Sequence, residues 1–298
     1  MSEKTIWPDL PLAAWSEACD TLHLWTQIVG KVRIALTPLI NHWWNATLLV
    51  TARGLAAPAM PYGGRTVDVI FDFTNHRLII ETSDCRVESF ALKAMAVADF
   101  YNEFMQCLRR LGIDIHIWTM PGEIENAIPF DRDRTHAQYD PVYAQKFWLA
   151  LLQTNRVMNE FRARFIGKAS PVHFFWGSFD LCVTRFSGRR APERPDADPI
   201  TREAYSHEVI SGGFWPGGGD VKGAAFYAYA APEPPGFAEQ KVQPAAAFYH
   251  PQMKEFLLMY DDVRQSASPR EALLSFLEST YDAGASLARW DRKELERL

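Results

Sequence analysis

The residues best placed to do chemistry lie along one segment, Phe175 to Thr184. Side chains alternate faces along an extended strand. Read that way, Phe175, Phe179, Leu181 and Val183 fall on one face, and Trp176, Ser178, Asp180, Cys182 and Thr184 on the other. The first set is ordinary core. The second carries an indole, hydroxyls, a thiol and a carboxylate, groups that need partners when buried. This face is expected to floor a wet cleft, where Trp176 stacks on a ligand and Ser178 orients it. Asp180, with a nearby histidine, would move protons, and Arg53 or Arg185 would pair with it or hold an anionic group.

A second segment answers the first. Trp43 to Thr51 lies without a gap against Trp176 to Thr184, placing Trp43, Asn45, Thr47, Leu49 and Thr51 opposite the polar set. Asp180 meets Thr47 in this match, so a carboxylate stands in only one of the two copies. Three histidines lie close to these strings. His42 precedes Trp43-Trp44, His173 precedes Phe174-Phe175-Trp176, and His207 adjoins Glu208.

The candidate catalytic set is therefore Asp180, His173, His207 and Glu208. The candidate ligand-binding set is Trp43, Trp176, Asn45, Ser178, Arg53, Arg185, His42 and Trp215. His42, His173, His207 and Glu208 are also the alternative metal set, serving a metal-dependent hydrolase or oxygenase. Their spacing shows neither His-x-x-x-His nor His-Glu-x-x-His, so no metal is assigned. A third reading is a non-enzymatic interaction module whose tryptophans bind a partner chain. Gly212 to Gly219 lacks the lysine-serine/threonine ending of a phosphate loop and reads as a lid or tight turn. Ser178 is not in Gly-x-Ser-x-Gly. No residue pattern identifies a cofactor, a reaction or an oligomeric state.

The elements that must position these residues recur in order. Pro61-Tyr62-Gly63-Gly64, leading to Phe71, matches Pro216-Gly217-Gly218-Gly219, leading to Phe226. A helical stretch ending at Leu111-Gly112 matches one ending at Ala283-Gly284. The expected fold is α+β, with two pseudo-repeated halves, each an antiparallel sheet flanked by helices, and a cleft between them. The first half would cover 1–135 and the second 136–298, as one compact body. Strands are expected from Asn45 to Arg53, Val67 to Phe73, Leu78 to Ile80, Arg86 to Phe90, Ile113 to Trp118, His173 to Phe186 and Ala224 to Ala230. Residues 58–64, with two prolines and two glycines, read as a loop. Asp140-Pro141 predicts a helix start, with aspartate as cap and proline in the first turn. Asp9 is a possible cap for the first helix.

With 298 residues, 48% of them hydrophobic, the chain can bury a large core. A net charge of -5 argues against broad phosphate neutralisation, so nucleic acid is not an expected partner. No apolar run spans a bilayer and no signal-peptide pattern follows Met1, so a soluble cytoplasmic protein with a small-molecule ligand is expected. Cys19, Cys85, Cys107 and Cys182 are too dispersed for a zinc or disulfide frame.

Several strings resemble a bacterial family catalogued as domain of unknown function 5996. They are Trp7 to Pro11, Thr21 to Arg33, Asn41 to Trp44, Thr51 to Leu55, Pro171 to Asp180 and Ser206 to Glu208. The likeness runs over nearly the whole chain. It implies a soluble bacterial protein and transfers no activity. It also points to His23, Gln27, Lys31 and Arg33. The first three share one helical stripe, facing solvent or lining the cleft.

Overall fold

Asp140 caps the longest helix, its carboxylate accepting the N–H groups of Val142 and Tyr143, and Pro141 occupies the first turn. The computed structural model describes residues 6–297. Its helices are α1 (Ser16–Leu36), α2 (Val97–Arg110), α3 (Pro141–Ala163), α4 (Pro199–Ala204), α5 (Tyr260–Gln265), α6 (Pro269–Leu287) and α7 (Arg292–Leu295). Its strands are β1 (Thr47–Val50), β2 (Gly54–Tyr62), β3 (Arg65–Asp72), β4 (Arg77–Thr82), β5 (Val87–Ala91) and β6 (His173–Phe175), followed by β7 (Asp180–Arg190), β8 (His207–Trp215), β9 (Ala225–Ala231), β10 (Phe248–His250) and β11 (Glu255–Met259). All eleven form one antiparallel sheet in the order β10-β11-β9-β8-β7-β6-β1-β2-β3-β4-β5. The fold is α+β. Strands from the two parts of the chain meet at β1 and β6 and continue one sheet. Among the described residues, no helix is long and apolar enough to cross a membrane.

Directly opposed residues share a face of an antiparallel pair, so register sorts the side chains. Leu48, Phe174, Leu181, Phe214, Phe226 and Leu258 stand opposite one another across six strands, and all are fully buried. Phe147 of α3 packs on Phe174 and Phe214. Burying each such side chain is worth about 1.5–3 kcal/mol before entropy is counted. The opposite face carries His173, Cys182, Gly213, Tyr227 and Leu257 in one row, and Thr184, Ser211 and Tyr229 in another.

Five local expectations are corrected. The strand expected from His173 to Phe186 is a hairpin, with residues 176–179 as its turn and Phe179 at φ 58°. The turn resets the alternation. Phe175 pairs with Asp180 and shares its face, while Trp176 and Ser178 leave the strand. Residues 58–62, read as loop, belong to β2, because a bulge between Ala57 and Met60 absorbs Pro58 and Ala59. Ile113 to Trp118 is not a strand. Its Ile113 is buried, but the Asp114 N–H goes to the Tyr62 hydroxyl rather than to a neighbouring strand. Gly284 does not end its helix. It lies in the last turn of α6, which runs on to Leu287, and an added Cβ there would be 3.0 Å from Ile210. Asp9 pairs with Lys146 at 2.8 Å instead of capping.

Candidate functional site

The polar face is largely satisfied from within. Ser178 donates to one oxygen of Asp180 at 2.7 Å, and the Tyr227 hydroxyl donates to the other. Burial pushes the Asp180 carboxyl up, against these two donors. Tyr227 reaches Asp180 by lying across Gly213, where an added Cβ would meet its ring at 2.1 Å. Tyr229 stacks beside it at 6.1 Å and meets the Tyr205 hydroxyl at 3.0 Å. Thr184 and Ser211 hydroxyls pair at 2.9 Å. Glu255, on the same face, is raised to about 7 by burial and then by the charge of Asp180. The alternating Tyr227 and Tyr229 of β9 were legible as one face of a strand. Their partners were not.

Neither expected arginine serves Asp180. Arg185 belongs to the helix-covered face, stacked 3.4 Å from the centre of the Phe161 ring, with its guanidinium 3.7 Å from Glu278. Adjacent strand positions point to opposite faces, so Arg185 and Thr184 separate by necessity. Arg53 pairs with Asp72, which also accepts the N–H groups of Thr74 and Asn75.

Trp176 is buried against α1. A Cβ on Gly30 would sit 2.3 Å from its indole nitrogen, so the pair fills the space that a stacked ligand would need. The stripe of His23, Gln27 and Lys31 neither faces open solvent nor lines a cleft. His23 donates from Nε2 to the Gly177 carbonyl at 2.7 Å. Gln27 exchanges two bonds with the Gly122 backbone, and Lys31 donates to Met120 O at 2.7 Å. Arg33 donates to Pro58 O at 2.7 Å. His23, Gln27 and Lys31 together clamp the hairpin turn and the 118–123 loop onto α1.

The histidines gather only in part. His42 and His207 have ring centres 5.8 Å apart, and Trp44 lies 6.2 Å from His173. Glu208 turns away to Arg189, at 2.7 Å, and Ser187. Among the described residues, no three His, Cys, Asp or Glu side chains are grouped to hold a metal ion. Asn45 is buried and accepts the Ile40 N–H at 3.3 Å. Trp43 and Trp215 are half-buried, with indole N–H groups lacking an acceptor among the described residues.

His173 is 2% exposed, and its Nε2 has no partner among the described residues. Burial, followed by the charges of Arg162 and Arg33, lowers it from 6.5 to about 3. The unfolded chain therefore takes up this proton first. Stability is full above pH 6.5 and falls as pH drops, by about 1.4 kcal/mol per unit. Glu255 acts with the opposite sign, since its folded form binds a proton first between 4.5 and about 7. A variant isolates the histidine. Urea unfolding of wild type and His173→Asn at pH 7 and pH 5 is expected to show wild type losing about 2 kcal/mol more. Parallel losses would mean that His173 is not buried neutral.

Beside this face lies an open cleft of about 630 Å³. Trp44, Arg162, Phe165, Ile166, Lys168 and Arg297 line it, and among the described residues no Asp or Glu does. Arg162 spends its Nε on Ser170 O at 2.6 Å, and Arg297 spends its Nε on Ala163 O at 2.8 Å. Lys168 lies 4.8 Å from the Phe186 ring and 5.5 Å from the Trp44 ring, and donates to His42 Nε2 at 2.6 Å. Sequence reasoning missed Arg162, Lys168 and Arg297. Each is an ordinary surface cation by type, and only the fold sets them around Trp44.

No curated protein matches this chain. No solved structure matches it either. The description "Family of unknown function (DUF5996)" applies over residues 7–297. The chain belongs to that family, which covers nearly its whole length.

Proposed function

We propose that the protein binds a small organic anion in the cleft beside Trp44. The observation that carries this reading is the lining itself. Three cationic side chains line the opening, and among the described residues no Asp or Glu does, in a chain of net charge -5. Trp44, Phe165 and Ile166 supply apolar wall for the body of the molecule, while Arg162, Arg297 and Lys168 supply donors for its acid group. This keeps the expectation of a small-molecule ligand and of an indole contact. It moves the anchor from Trp43, Trp176, Arg53 and Arg185 to neighbours of His42.

Titration with lactate and benzoate, followed by tryptophan fluorescence and calorimetry, tests it. Arg162→Ala and Lys168→Ala are each expected to weaken binding by about 10-fold or more, and added salt to weaken it further. Binding that ignores both substitutions would refute the site.

The strand order is consistent with a shared origin for the two parts of the chain. The matched Pro61–Gly64 and Pro216–Gly219 segments both connect the second and third strands counted from the matched β1 and β7. In this reading, one copy kept a scaffold while the other acquired Asp180, where β1 has Thr47.

A further inference from the structure

His42 is held in an unusual way. Both it and Trp43 adopt the left-handed region, at φ 58° and 59°. That conformation is uncommon for non-glycine residues and is a genuine outlier for a side chain as bulky as Trp43. The surroundings enforce it. His42 N donates to a Glu203 carboxylate oxygen at 3.2 Å. His42 Nδ1 lies 3.1 Å from Glu203 O and 3.2 Å from Ala204 O. Carbonyl oxygens only accept, so Nδ1 carries the proton and Nε2 presents a lone pair. That lone pair points at the Lys168 ammonium, 2.6 Å away. No carboxylate pairs with Lys168 among the described residues. The result is an amine aimed at a base, at the wall of a cation-lined cleft.

We propose that Lys168 is a reactive amine that condenses with the carbonyl of a small oxo acid, with His42 as its proton acceptor. This rests on the anion-binding reading and specifies its substrate class. His42 Nε2 takes a proton from the Lys168 ammonium. The freed nitrogen pair attacks the carbonyl carbon, and a proton passes from that nitrogen to the carbonyl oxygen to give a carbinolamine. The hydroxyl then leaves as water, taking the proton His42 holds, and a protonated imine remains. The net change is ammonium plus carbonyl to iminium plus water, without oxidant or reductant. Arg162 and Arg297 would hold the acid group while Trp44 packs on its carbon chain. Desolvation lowers the Lys168 pKa although the residue is exposed overall, which favours the free amine, and burial with the Lys168 charge lowers that of His42, which keeps its Nε2 lone pair free.

The test uses the full chain with pyruvate and cyanoborohydride, which reduces an imine to a stable secondary amine. Peptide mapping should find a carboxyethyl group on Lys168, formed about 10-fold or more faster than on any other lysine. Lys168→Arg should remove that fast phase. His42→Gln should slow it by about 10-fold or more and shift its pH profile towards that of an ordinary lysine. Lactate has the same acid group without the oxo carbon, so it separates the two claims. Lactate binding with Lys168 labelled no faster than other lysines would overturn the amine chemistry and keep the cleft. Loss of both would overturn both.

Discussion

Arg185→Ala is expected to destabilise the protein by about 3–5 kcal/mol, measured as a loss in urea-unfolding free energy at pH 7. Arg185 is 1% exposed and is packed between the Phe161, Phe165 and Tyr281 rings, at 3.4, 5.2 and 4.3 Å. It also donates to the Phe161 carbonyl and faces Glu278. Burial lowers its pKa to about 10, against the opposing pull of Glu278, and it remains charged at neutral pH. Truncation leaves two defects. A large cavity opens among aromatic rings, and Glu278, itself raised by burial, keeps only the half-exposed Arg164 at 3.4 Å as a cation partner. Arg185→Met would fill most of the space but not answer the carboxylate, so it should cost less than the alanine variant. Adding Glu278→Gln to Arg185→Met should recover part of the loss. Equal costs for the alanine and methionine variants would mean that charge, not volume, dominates.

Gly213→Ala is expected to cost about 3–4 kcal/mol, of which one to three reflect the loss of partners around a buried polar group. Its Cβ would lie 2.1 Å from Tyr227 Cζ and 2.2 Å from the hydroxyl oxygen. The ring cannot stay. Moving it withdraws the donor from Asp180, leaving a buried carboxyl with Ser178 alone. Tyr227→Phe separates the contributions, because it keeps the ring and removes only the hydroxyl. It should cost about 1–3 kcal/mol, less than Gly213→Ala. A Gly213→Ala protein with wild-type stability would show that Tyr227 does not depend on this approach.

Much of the architecture was legible from periodicity and capping. The strand pair β3–β4 follows from alternating Val67, Val69 and Phe71 around a polar turn. The start of α3 follows from Asp140-Pro141. Asp180, Cys182 and Thr184 do share a face, as their spacing requires. The error at Trp176 came from reading Gly177-Ser178 as strand interior, although both are turn residues. Phe179 is a bulky residue in the left-handed region, where glycine or asparagine would have marked the reversal. The 118–123 loop was equally hidden, because His23, Gln27 and Lys31 look like a solvated stripe until their acceptors come from 89 residues or more away.

By itself, then, the sequence determined the α+β class, the main helices, the alternation of the central strands and the family. These depend on local dihedral preferences and on apolar periods of two and 3.6, which are properties of neighbouring residues. Only the tertiary structure decided which charges share a space. Lys168 and His42 are 126 residues apart and meet at 2.6 Å. Arg185 and Asp180 are five positions apart and lie on opposite faces. Proximity between side chains is set by strand register and by chain reversals, and one turn changes both.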